Sequence, residues 1–138
     1  MDISQWISNL AARLELAADD VDDLAKSVWV TNDDDRERLF AIEAQMWRIA
    51  RTTRRASGPP AAVLPLLEHG LRAVRTNVAF CIRLPVCEEE EGVGFLEGLV
   101  HELDTAIGEI GILLRPAEAT TGGEEPARPS GRVAGGRS

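Results

Sequence analysis

Apolar residues fall at Ile3, Ile7, Leu10, Leu14, Ala17, Val21, Leu24 and Val28, in steps that alternate four and three. A repeat of about 3.5 residues sustained this long predicts one amphipathic helix, from about Ser4 to Val30, whose seam other helices must cover. Ala11, Ala18 and Ala25 run beside the seam and let a neighbour approach closely. Thr31 to Asp35 breaks the pattern. Asn32 or Asp33 suits an N-cap there, and the acids that follow suit the positive end of a new helix dipole.

The pattern then returns three times. A second helix, about 34–56, has the seam Leu39, Ile42, Met46, Ile49 and Thr53. A third, about 60–84, has Leu67, Leu71, Val74, Val78 and Cys81, with Pro65 in its first turn or at a kink. A fourth, about 93–115, has Leu96, Leu99, Leu103, Ala106, Ile110 and Leu113. Ser57-Gly58-Pro59-Pro60 separates the second from the third, Pro85 stops the third and Pro116 stops the fourth. Pro85 to Gly94, with Glu88 to Glu91, is expected to be an exposed acidic loop. No run alternates as a strand would. Residues 117–138 carry almost no large apolar side chain and are expected to be disordered. Short connections favour antiparallel neighbours, so the expected fold is all-α: an up-down-up-down four-helix bundle over residues 1–116 with a disordered tail.

Charge adds a division of sides. The 138 residues carry a net charge of −8, distributed unevenly. Residues 1–35 sum to −7, 36–56 to +4, 57–84 to +2 and 85–115 to −7, while the remainder balances. If the helices follow one another round the bundle, helices 1 and 4 form an acidic side and helices 2 and 3 a basic one. Cys81 and Cys87 form no close pair, so both are expected to be reduced thiols. The first residues carry no basic, apolar leader, and no apolar stretch is long enough to span a bilayer. The expectation is therefore a soluble, cytoplasmic protein without membrane contact.

Reactive chemistry finds little to work with. The seams offer only Thr53 and Cys81 as polar residues, where carboxylate-bridged metal bundles need Glu and His. Glu97 and His101 share a helical face but make no ligand set. No nucleophile elbow or phosphate loop occurs. No catalytic residue, metal or cofactor is expected.

The positive signals point to binding. Phe40 and Trp47, seven apart, lie at one edge of helix 2 together with Arg36, Arg51 and Arg54. Trp6, Leu16, Trp29, Val30 and Phe80 are apolar residues in excess of the seams. Gly94, Gly98, Thr105 and Gly108 form a strip of small residues on helix 4 where another helix has room. The sequence thus reads as a self-associating interaction or adaptor subunit, with a second copy or another protein as partner. Its candidate contact residues are Phe40, Trp47, Arg51, Arg54, Phe80, Gly98, Thr105 and Gly108. The alternative is a nucleic-acid-associated accessory protein that uses Arg48, Arg51, Arg54, Arg55, Arg72 and Arg75 on the basic side.

Overall fold

Each apolar stripe forms a helix. The computed structural model describes residues 2–122, with side chains through Leu114. Its helices are α1 (Ile3–Lys26), α2 (Asp33–Arg55), α3 (Pro60–Arg83) and α4 (Glu90–Gly122), and no strand occurs among the described residues. The chain divides after Gly108 into two units; the first contains every surface discussed below, and α4 continues into the second.

Local chemistry sets the helix starts. Asp2 Oδ1 accepts the Ser4 N–H at 3.0 Å, and Asn32 Oδ1 accepts those of Asp34 and Asp35 at 2.8 and 3.2 Å. These bonds satisfy first-turn donors that have no partner within the helix. Asp33, Asp34 and Asp35 fill the positive end of α2, and Arg54 and Arg55 its negative end. Gly58, at φ +99°, supplies the left-handed residue that reverses the chain before Pro59 and Pro60 open α3.

The core is wholly apolar: among the described residues none that is polar or charged is buried. Leu10, Leu14, Val21 and Leu24 of α1 are buried along with Leu39, Ile42 and Met46 of α2, Leu71, Val74 and Val78 of α3, and Leu96, Leu99 and Leu103 of α4. Polar ties show which helices adjoin. Arg36 Nε donates to the Ala25 carbonyl at 2.8 Å, whereas Ser4 and Ile7 share a cleft with Thr53 and Ala56, so paired positions on α1 and α2 run in opposite directions. On α2 and α3, Asn77 Nδ2 donates to Gln45 Oε1 at 3.0 Å, and Gly70 faces Ile49. Leu10, Leu14 and Ala17 line a crevice with Leu99, Leu103 and Ala106. Arg75 reaches Asp104 at 2.9 Å. Thus α1 borders α2 and α4, and α3 borders the same two.

Four details differ from the sequence pattern. First, α1 ends at Lys26, not Val30. Ser27 Oγ donates to the Leu24 carbonyl at 2.7 Å and accepts the Trp29 N–H at 3.3 Å, which turns the chain out of the helix. Val28, at the last seam position, is consequently 87% exposed, and Val30 turns inward with 1% exposed. Trp6, counted as surplus, is also buried.

Second, the acidic connection is not wholly exposed. Val86 and Cys87 are buried, the Val86 N–H bonds the Cys81 carbonyl at 3.0 Å, and Glu90 and Glu91 already belong to the first turn of α4. A Cβ on Gly92 would run into Cys87 Sγ and stand 3.2 Å from Leu24 Cδ1, so the residue must be small for this loop to close. Third, Pro65 lies in the second turn of α3, on its exposed face, where the carbonyl deprived of a partner by the missing N–H stays open to solvent. Fourth, α4 runs through Pro116 to Gly122, so this proline does not mark its end. The remainder of the tail expected to be disordered, from residue 123, lies outside the described residues.

These burials separate two neighbouring valines. Val30→Ala should lower folding stability by about 2 kcal/mol, and Val28→Ala should leave it within about 0.5 kcal/mol, both read from urea unfolding. Likewise Gly98→Ala, where a Cβ meets open space within a helix, should stabilise by up to about 1 kcal/mol, and Gly92→Ala should destabilise.

Candidate functional site

The aromatic–arginine edge of α2 is largely used inside the fold. Phe40 and Trp47 are half-buried. Arg54 makes a two-pronged contact with Glu15 of α1, at 3.0 Å from Nε and 2.8 Å from Nη2. Arg36 donates to the carbonyls of Ala25 and Val30 and to Asp33, which fastens the α1–α2 connection. On α3, Arg72 pairs with Glu68 at 2.9 Å and Arg75 with Asp104. Of the six arginines on the basic side, three are therefore matched to carboxylates. Arg48, Arg51 and Arg55 are exposed and make no ion pair with a described residue. At positions i, i+3 and i+7 they stand in one row along α2.

That row borders an apolar groove of about 150 Å³ between α2 and α3, lined by Arg48, Ile49, Thr52, Thr53, Ala56, Val63, Leu66 and Leu67. Leu66 stands at its rim, 73% exposed. The far end of α2 presents the opposite charge. There Val28, Trp29, Thr31 and Asp35 enclose a cleft of about 430 Å³ with Pro85, Val86, Glu88 and Glu89. Trp29 is partly exposed beside the protruding Val28. Asp35 pairs with Arg38 at 2.9 Å, but Asp34, Glu88, Glu89, Glu90 and Glu91 have no cation partner among the described residues.

The other candidate residues lie apart from these two patches. Phe80 is exposed on α3, with the Arg83 guanidinium 5.7 Å from its ring centre. Gly94 and Gly98 line a cleft of about 380 Å³ with Leu16, Ala17 and Phe95. Thr105 donates its hydroxyl to the His101 carbonyl at 2.9 Å, and space stands open over Gly108. The structure thus brings Gly94 and Gly98 together across from α1, and keeps them separate from Phe80 and from the arginine row.

One ionisable cluster was not visible in the pattern. Asp22 and Lys26 of α1, 2.8 Å apart, meet Glu43 of α2, which lies close enough to Asp22 and Trp47 for both to act on its carboxyl. Desolvation first, and then the Asp22 carboxylate, push the Glu43 pKa above its ordinary value, while the bond from Lys26 holds Asp22 below its own. Helical spacing within either helix says nothing of this pairing, because it depends on which faces of α1 and α2 meet. Neither carboxylate lines one of the clefts above. No group of three or more His, Cys, Asp or Glu that could hold a metal occurs among the described residues, and His69 and His101 are exposed. Cys81 and Cys87 are free and buried, and burial raises the Cys81 pKa. No described helix is long and apolar enough to cross a membrane.

Comparison of the chain with family models, with curated proteins and with solved structures returned no match.

The Asp22–Glu43 contact carries a pH dependence of stability. A raised folded-state pKa means that Glu43 contributes stability below its ordinary value of 4.5 and loses it as pH rises through the folded value. Glu43→Gln should therefore raise the urea midpoint at pH 7, and the gain should vanish near pH 4; urea titrations at both values check it.

Proposed function

We propose that this chain is a non-catalytic, cytoplasmic interaction subunit that works by associating with a second copy of itself or with another protein. The observation that carries this reading is the placement of its exposed apolar residues. Leu66 beside its groove, and Val28 with Trp29 beside their cleft, occupy two patches, each bordered by charge of one sign. Isolated apolar residues on a surface need no explanation, but apolar residues grouped at a cleft and ringed by charge mark a surface made for contact.

The apolar core, in which no polar or charged residue is buried among the described residues, favours a scaffold over a catalyst. Nucleic acid fits less well. Arg54, Arg72 and Arg75 are paired with carboxylates, and a chain of net charge −8 repels a polyanion at a distance.

Sedimentation velocity over a micromolar to near-millimolar range should show a mass that rises above the monomer. A monomer throughout the range overturns the reading. Retention on a single-stranded oligonucleotide that falls with salt, and is lost when Arg48, Arg51 and Arg55 become Glu, would favour the nucleic-acid alternative instead.

A further inference from the structure

The two patches differ in sign and stand at opposite ends of α2, a helix about 33 Å long. One is an apolar groove with a row of three arginines that no described carboxylate neutralises. The other is a pair of protruding apolar residues, Val28 and Trp29, above a cleft that contains Glu88 and Glu89. A groove calls for a knob, and a cation row calls for carboxylates; the same chain supplies both at its other end.

We infer that the occupant of the α2–α3 groove is the Val28–Trp29 end of a second copy, so that the chains join head to tail. This rests on the self-association proposed above and adds its geometry. Val28 and Trp29 of one copy enter the groove beside Leu66 of the next, and the arginine row meets Glu88 and Glu89. A contact of a patch with itself sets arginine against arginine or carboxylate against carboxylate, which the charges oppose. Pairing unlike patches is heterologous, so a joined pair retains one free patch of each kind, one on each copy, and assembly continues until a ring closes or a filament grows.

The test uses the full chain with substitutions at exposed positions that leave the core intact. Val28→Arg brings a cation toward the arginine row, and Leu66→Glu brings an anion toward the acidic end. Each variant alone should self-associate at least about tenfold more weakly than the parent chain. Mixed in equal amounts they should form a dimer, because the intact end of one meets the intact groove of the other. Arg48→Glu with Arg55→Glu, mixed with Glu88→Lys with Glu89→Lys, should show the same rescue by a second route. Circular dichroism verifies that every variant is folded.

Loss of association in each variant, with recovery in the mixtures, supports the head-to-tail contact. A parent chain that associates as well with either substitution, or mixtures that stay monomeric, overturns it and leaves self-association standing through another surface. A parent chain that is monomeric throughout overturns both readings.

Discussion

The apolar stripe of α1 is the constraint on which everything else depends. It is too broad for one neighbour: Leu10, Leu14, Leu24 and the alanines at 11, 18 and 25 are all buried, and α1 borders both α2 and α4. The three alanines draw a neighbouring helix close, and that closeness lets short polar side chains at the margin reach across. Glu15 meets Arg54 and Asp22 meets Glu43 at such margins. Among the described residues none that is polar or charged is buried, so specificity falls to side-chain shape within and to these bridges at the rim. Arg36 is the clearest case. Exposed pairs count for little individually, but its guanidinium binds two carbonyls at the end of α1 and just beyond it, and so fixes where α2 begins.

The repeat in the sequence was sufficient for four helices because a buried stripe imposes its period over many turns. It failed where a single local bond decides. Nothing in the spacing of Leu24 and Val28 reveals that the Ser27 hydroxyl will cap α1 and exchange the roles of Val28 and Val30. Nor does a run of four glutamates reveal that the residues before it, Val86 and Cys87, fold inward over Gly92. The charge division was legible as a sum, but a sum cannot tell which charges cancel. Arg54, Arg72 and Arg75 are matched within the fold, and of the six arginines singled out on the basic side Arg48, Arg51 and Arg55 keep no carboxylate partner among the described residues and share one row on α2. The groove beside that row needs two helices to exist, so spacing within α3 alone could not place Leu66 at its rim.

Exchange of Val28 for Val30 has a consequence for the surface as well as for the fold. Continued to Val30, α1 would keep Val28 against its neighbours and leave the acidic end without a protruding aliphatic residue. Ending the helix at Lys26 releases Val28 to 87% exposure beside Trp29, and Val30 fills the space below. An apolar knob beside acidic residues is therefore built by the helix stop itself. The same region contains three aspartates in the first turn of α2 and two glutamates in the first turn of α4, where helix dipoles favour them. Local helix electrostatics thus gathers carboxylates at this end whatever the surface is used for, and the basic residues in the last turn of α2 gather at the other by the same rule. The bundle thus becomes polar along α2 without any further design, and exposed apolar side chains stand at both poles.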